Sequence, residues 1–280
     1  MRELLRLAAL LGILGVTLFS TSFLISNIVE DPAKITTAAD AHRMSGGNAL
    51  MLLLSFGLTG LLYLTVIRPD HEQNLLKSLG TSLSTYWLLA VFMLGIFFIL
   101  PWLGLDAESF QLPPSLHEIE ELLELQEAQI EVLMRSLIRY GNLFFLLLTM
   151  ALAPAVAEEL FFRGALQTQF SYLMNRHMAV WLTAFIFSAI HFQVYGFIPR
   201  LLLGAIMGYL TLWTKSLAPA IWAHFLNNAY ATIVAYLGMH VFDSPEWIDS
   251  TYRPPLWTAL LGAVIAGGVG YHLFRRLHRA

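Results

Sequence analysis

Long apolar runs separated by short polar segments dominate the chain. A helix needs roughly 20 apolar residues to cross ~30 Å of hydrocarbon, and about eight runs approach this length. We predict membrane spans at about 4–28, 48–67, 86–102, 141–166, 179–193, 198–213, 217–238 and 256–273. The first run follows two arginines, as a signal peptide does, but it is long and lacks a convincing small-x-small cleavage site. We therefore predict that it is a retained helix.

One segment breaks this pattern. Residues 106–131 are acidic, with apolar residues at helical spacing among the glutamates: Leu116, Ile119, Leu122, Leu123 and Leu125. This predicts an amphipathic helix outside the bilayer. Because its acidity opposes adhesion to anionic lipid, a lid or partner-contact helix and a plain solvated helix remain the two alternatives.

Composition agrees with a membrane protein. Of 280 residues 57% are hydrophobic and 12% are charged, which is too little polar surface for a water-soluble globule of this size. The prediction is an all-α polytopic bundle in one membrane domain, 1–280. It divides into spans 1–3 (1–105), the acidic helix (106–140), spans 4–7 with the candidate chemistry (141–238), and the last span with a basic tail (239–280). No cysteine is present, so thiolate chemistry is excluded.

The basic residues predict the orientation. With loops assigned alternately to the two sides, the side of the N-terminus holds most of them: Arg2, Arg6, Arg68, Lys77, Arg176, Lys215, Arg275, Arg276 and Arg279. Since basic loops stay in the cytoplasm, both termini are predicted to be cytoplasmic. We expect the protein to lie in a bacterial plasma (inner) membrane. Its expected partner is the lipid bilayer, and no nucleic-acid partner is expected.

Ionisable residues inside a span cost roughly 2.5–3.5 kcal/mol each and so mark candidate functional sites. The predicted fourth span reads APAVAEELFFRGAL and holds Glu158, Glu159 and Arg163. Adjacent helical residues point about 100° apart, so the two glutamates are predicted to have different roles. Glu159 and Arg163 are at i and i+4 and can neutralise one another. Glu158 is then left as a candidate general base.

Two further spans supply imidazoles. AFIFSAIHFQ carries His191, and APAIWAHFLNNAY carries His224 with Asn228 at i+4 and Asn227 beside it. An imidazole with a carboxamide can stabilise an oxyanion. Counted along their helices at ~1.5 Å per residue, Glu158 and His224 lie on the order of 10 Å deep, which predicts a shared cavity open to the cytoplasm.

Structural roles compete with these interpretations. A histidine or asparagine in a span often serves only to join helices by hydrogen bonds, and Glu159 with Arg163 fits a supporting ion pair better than direct chemistry. Gly204 and Gly208 form a small-xxx-small face typical of helix packing.

Three of these segments together resemble a known family. EELFFR fits an EExxxR motif, FSAIH fits FxxxH and HFLNN fits HxxxN. Their order and spacing resemble the CAAX-protease and bacteriocin-processing family of intramembrane proteases, also called the type II CAAX prenyl endopeptidase or Abi family. The resemblance covers about 152–231. It implies an eight-helix fold with its site in a membrane cavity, where Glu158 and His191 activate water and His224 and Asn228 stabilise the oxyanion.

The resemblance leaves the catalytic type open. Members of the family have been interpreted as glutamate-dependent and as metal-dependent peptidases, and Glu158, His191 and His224 with a water would also make a three-ligand Zn²⁺ site. The main hypothesis is an endopeptidase acting on a membrane-embedded or lipid-tethered peptide. The alternatives are a non-catalytic immunity or scaffold protein and, with less support, a proton-coupled transporter.

Overall fold

The computed structural model describes residues 1–25, 34–68, 75–76, 81–104, 113, 115, 117–244 and 252–277. Within these ranges the chain forms nine helices and no strand, which confirms the all-α polytopic bundle. They are α1 (Arg2–Ile25), α2 (Ala38–Ile67), α3 (Leu83–Trp102), α4 (His117–Tyr140), α5 (Leu143–Ser171), α6 (Arg176–Ala189), α7 (Phe197–Thr214), α8 (Ala218–Leu237, continued by Gly238–Phe242) and α9 (Leu256–Leu277).

Six of the helices in the described ranges, α1, α2, α3, α5, α7 and α9, are long and apolar enough to cross a membrane. The chain is therefore an integral membrane protein. The other two predicted spans are also helical. However, α6 has only 14 residues and is shorter than the other six. Helix α8 has 20 residues but carries His224, Asn227 and Asn228, which lower its hydropathy.

One helix begins before the apolar run that predicted it, because capping residues lie upstream of that run. The second span was predicted from residue 48, but α2 begins at Ala38. The reason is a capping box: the Asp40 backbone N–H donates to Thr37 Oγ1 at 3.2 Å, and the Thr37 backbone N–H donates to Asp40 Oδ2 at 3.0 Å. This arrangement satisfies backbone donors at the first turn, so the helix extends into polar sequence that the apolar run does not include.

Helix α4 continues beyond the acidic segment 106–131 to Tyr140, and residue 106 lies outside the described residues. Its first half exposes apolar side chains at Ile119, Leu122 and Leu125. Its last turn is docked, with Leu137 and Ile138 buried in a cluster with residues of α2, α5 and α8. Helix α4 therefore begins as an exposed amphipathic helix and ends within the bundle.

The exposed half of α4 lies near the connection between α6 and α7. Burial, followed by the carboxylates of Glu124, Glu127 and Glu120, raises the pKa of Tyr195 in that connection. The acidic face of α4 is thus directed towards the segment that follows His191, while its role as a lid or a solvated helix stays a prediction.

Helix α5 is the centre of the bundle. It packs against α2, α6, α7 and α8, while α3 and α9 pack against each other and α3 also contacts α8. Phe161 and Phe162 of α5 are buried against Phe56 of α2, and Phe162 also meets Phe187 of α6. The helix that carries both candidate glutamates is thus held on several sides.

The contact between α2 and α5 depends on Gly60. A Cβ at this position would overlap the backbone carbonyl of Leu160 and lie 2.7 Å from the backbone nitrogen of Phe161. Gly60→Ala is therefore expected to lower the free energy of unfolding by about 1–3 kcal/mol, as overpacking does. Thermal unfolding in detergent measures this effect. Gly12→Ala on α1 is the matched control, because a Cβ there would meet no atom of another helix within 4 Å; equal melting temperatures for the two variants would contradict the close approach.

Candidate active site

Two adjacent carboxylates on α5 are withdrawn from solvent. Glu158 is 8% exposed and Glu159 is fully buried. Immediately after them, over Leu160–Gln167, the helix takes wider π-type turns, which are frequent at functional sites. The two side chains leave the helix in different directions, and their partners differ accordingly.

Glu159 forms the ion pair predicted from its spacing to Arg163. Arg163 Nη1 donates to Glu159 Oε1 at 2.6 Å, and both side chains are fully buried. Arg163 Nη2 donates to the backbone oxygen of Gly204 on α7 at 2.9 Å. The guanidinium also lies over the Phe187 ring, 4.7 Å from its centroid. The pair therefore joins α5 to α6 and α7 as well as neutralising its own charge.

Gln167 repeats this connection one turn further along α5. Its Nε2 donates to the backbone oxygen of Gly208 at 3.1 Å, as Arg163 does to Gly204. The small residues on α7 thus let polar side chains of α5 reach the α7 backbone. The sequence interpretation assigned Gly204 and Gly208 to packing and did not include Gln167. The matching i, i+4 spacing of the two sets was the available signal.

His224 of α8 lies between the two glutamates. Its Nδ1 is 2.8 Å from Glu159 Oε1, and its Nε2 is 3.8 Å from Glu158 Oε2. The two glutamates point in different directions from α5, so each faces a different nitrogen of the same imidazole. His224 Nδ1 carries the proton and donates a hydrogen bond to Glu159, because a carboxylate can only accept hydrogen bonds. This leaves Nε2 facing Glu158.

His191 was predicted to lie within the fifth span, and the structure corrects this. Helix α6 ends at Ala189, and His191 follows in a turn where its backbone N–H donates to the oxygen of Ser188 at 3.3 Å. Phe192 then adopts a left-handed conformation with φ 52°, which cannot continue an α-helix. His191 is therefore presented from a turn rather than from a helix face.

The turn fixes the His191 ring. Its Nδ1 donates to the backbone oxygen of Phe187 at 2.8 Å, so Nε2 is the nitrogen left to accept a proton or hydrogen bond. The ring of Phe187 is 5.2 Å from that of His191 and 5.8 Å from that of His224. The two imidazoles thus share one aromatic neighbour.

Asn228 lies one turn beyond His224 on α8 and is partly buried. Its Oδ1 accepts a hydrogen bond from Asn227 Nδ2 at 3.3 Å, which leaves its own Nδ2 available as a donor. Among the described residues, the His224 ring is hydrogen-bonded to Glu159 and not to Asn228.

Glu158 and His191 open onto one apolar cavity of about 610 Å³. The rest of its wall is aliphatic and aromatic and comes from α1, α2, α5, α6 and the turn after α6. The α1 residues are Leu7, Leu11, Leu14 and Leu18. Helix α1 lies outside the segment that carries the three motifs, and no pattern in its sequence indicates this contribution. Two ionisable groups therefore face a space suited to an apolar chain.

The alternative of a three-ligand zinc site requires Glu158, His191 and His224 to converge on one point. Among the residues that the structure describes, no group of three or more His, Cys, Asp or Glu side chains is arranged to hold a metal ion. His224 Nδ1 and His191 Nδ1 are each engaged, by Glu159 and by a backbone oxygen, so each ring keeps Nε2 free. The catalytic type, glutamate-dependent or metal-dependent, therefore stays open.

Comparison with models of known protein families tests the resemblance that the three motifs show. Residues 140–230 match the model of a family described as type II CAAX prenyl endopeptidase Rce1-like. These residues are an Rce1-like region. The match covers about a third of the chain and confirms the family predicted from the three motifs. No curated protein and no solved structure matches the chain significantly.

The Rce1-like region includes α5, α6, α7 and the first half of α8, and with them every candidate site residue. The match supports a CAAX-type intramembrane protease at the level of the family. Helices α1 and α2 lie outside the Rce1-like region but line the cavity that Glu158 and His191 face. The cavity is thus built jointly by the region and by the N-terminal helices.

Proposed function

We propose that the chain is an endopeptidase that hydrolyses a peptide bond of a membrane-embedded or lipid-tethered peptide, with Glu158 as the general base. The observation that carries this proposal is the position of Glu158, in the wall of an apolar cavity with His224 Nε2 3.8 Å away. This gap can be bridged by one water hydrogen-bonded to both groups. His191 Nε2, in the wall of the same cavity, is the second acceptor proposed to hold the water.

Charge balance supports a proton shared between Glu158 and His224. Two carboxylates and the Arg163 guanidinium give the buried cluster one net negative charge when His224 is neutral. One added proton makes it neutral, and isolated charge is costly away from water. Glu159 accepts from His224 Nδ1 and so stabilises the imidazolium. The cluster therefore supplies a carboxylate base beside an imidazolium acid.

The proposed reaction starts with this proton on His224. The water oxygen attacks the peptide carbonyl carbon while Glu158 takes a proton from the water. Negative charge develops on the carbonyl oxygen, which His224 Nε2–H and Asn228 Nδ2 stabilise as donors. When the C–N bond breaks, Glu158 gives its proton to the leaving nitrogen. Glu159 and Arg163 act as positioning residues, because they hold His224 and do not touch the substrate.

The cavity supports an apolar substrate. At about 610 Å³ it has the size of a typical ligand pocket, and its lining is apolar except for Glu158 and His191. A lipid chain attached near the scissile bond, or the apolar side chains of a membrane segment, would be buried there. The energy of burial, ~25 cal/mol per Å² of apolar surface, would hold the peptide bond against Glu158.

Filling the cavity tests this assignment. Leu14→Trp is expected to raise KM for a lipidated peptide by on the order of tenfold, because the larger side chain occupies the space of the lipid. The assay uses the full chain in nanodiscs with S-farnesylated peptides and with the same peptides without lipid. Val16→Trp, on an exposed position of the same helix outside the cavity, is the control. Equal KM values for both variants, or equal cleavage of free and lipidated peptides, would contradict a cavity that binds the lipid.

A further inference from the structure

A second cavity, about 320 Å³ in volume, lies between the end of α5, the start of α6 and the end of α7. Unlike the cavity at Glu158, it is lined mostly by polar residues, which include three with cationic side chains, Arg163, Arg176 and Lys215. The described residues provide no salt-bridge partner for Arg176 or Lys215, whose side chains are exposed. Glu159 neutralises Arg163, so the described residues that line this cavity carry an excess of positive charge.

The inner wall of this polar cavity has unsatisfied hydrogen-bonding groups. Arg163 is fully buried and Gln167 is 5% exposed. Arg163 Nε and Gln167 Oε1 are both buried without a partner among the described residues, although the other polar atoms of these side chains bind Glu159, Gly204 and Gly208. Buried polar atoms are normally satisfied, so the two atoms indicate that something hydrated or polar enters.

The polar cavity is also at a defined depth. Ser171 is the last residue of α5, Arg176 is the first of α6, and Lys215 follows the last residue of α7. The ends of membrane spans lie in the headgroup layer. Lipid phosphates occupy that layer, and basic side chains there attract anionic lipids.

We propose that this polar cavity is a phosphate-binding site, with Arg176 and Lys215 at its rim and Arg163 and Gln167 in its inner wall. Its ligand is a phosphate group, supplied by an anionic phospholipid headgroup or by free phosphate. The phosphate oxygens accept from the cations, and water carried with the phosphate provides both a donor and an acceptor for the two unsatisfied atoms. Arg163 lines this cavity and is also paired with Glu159, so the bound phosphate is connected to the candidate active site through Arg163.

Binding is tested on the full chain in zwitterionic nanodiscs. One arm adds 20 mol% phosphatidylglycerol, and the other adds inorganic phosphate against chloride at equal ionic strength. In at least one arm the melting temperature of the wild type is expected to rise by on the order of 5 °C. The double variant R176Q/K215Q is expected to need about tenfold more ligand for the same rise. A rise with lipid alone assigns the headgroup, and a rise with phosphate assigns the free ion.

The control separates the site from general surface charge. R275Q/R276Q removes two basic residues of α9 that lie on the same predicted side and do not line the cavity, and it is expected to respond as the wild type does. No rise in either arm, or equal behaviour of the two double variants, would overturn the proposal. The readout is binding and not proteolysis, so its failure is distinct from failure of the proposed peptidase activity.

Discussion

Glu158→Gln is expected to lower kcat for peptide hydrolysis by on the order of 10³-fold while the protein folds normally. The amide has the shape of the carboxyl but cannot take a proton from water. Glu158 is not in the Glu159–Arg163 ion pair, and its carboxylate faces His224 and the cavity. The removal of its charge therefore affects chemistry more than stability. Cleavage of a lipidated peptide by the purified chain, with the melting temperature measured in parallel, gives both quantities.

Glu131→Gln is the matched control for this variant. Glu131 also faces a cation, Arg135 at 2.6 Å, but on the partly exposed helix α4. Its substitution is expected to change kcat less than twofold, because surface ion pairs contribute little. If Glu158→Gln kept more than a tenth of the wild-type kcat, Glu158 would not be the general base.

Arg163→Met is expected to produce the largest loss of stability. It leaves the Glu159 carboxylate fully buried without its cation, and breaking a buried pair in this way costs about 3–5 kcal/mol. It also removes the hydrogen bond to the Gly204 backbone oxygen. Thermal unfolding in nanodiscs measures the loss, and peptide cleavage below the melting temperature measures the effect on catalysis.

The double variant Glu159→Gln/Arg163→Met separates stability from catalysis. With no buried charge left unpaired, it is expected to recover a large part of the lost stability. Its kcat is expected to stay at least tenfold below that of the wild type, because a neutral amide stabilises the His224 imidazolium less than a carboxylate does. Full recovery of kcat would show that Glu159 does not position His224, and a wild-type melting temperature for Arg163→Met would show that the pair is not essential to the fold.

The parts of the site that lie on one helix could be predicted from the sequence. The Glu159–Arg163 bond follows from i, i+4 spacing alone, and the fold class follows from composition and the apolar runs. The partner of His224 could not be predicted in this way. Its bond to Glu159 depends on how α5 and α8 pack, and a carboxylate paired with an arginine keeps further lone pairs for a second donor.

Two other features depend on three-dimensional packing. His191 lies in a turn, and the next residue, Phe192, adopts a left-handed conformation. Glycine is the usual residue in that conformation, so a phenylalanine there gives no sign of the turn in the sequence. The leucines of α1 line the cavity, yet in a lipid-facing helix they look the same as leucines that face the bilayer. Apolar periodicity therefore predicts the spans but not which of them enclose the site.

The central claim, Glu158-dependent hydrolysis in the membrane, is tested most directly by mass-spectrometric comparison of peptide termini. Membranes are taken from a strain that lacks this chain and from the same strain complemented with wild type or with Glu158→Ala at equal expression. Our account predicts new termini in membrane-embedded or lipid-tethered proteins with wild type, and none of them with Glu158→Ala or in the deletion strain. The same set of termini with Glu158→Ala as with wild type would contradict it.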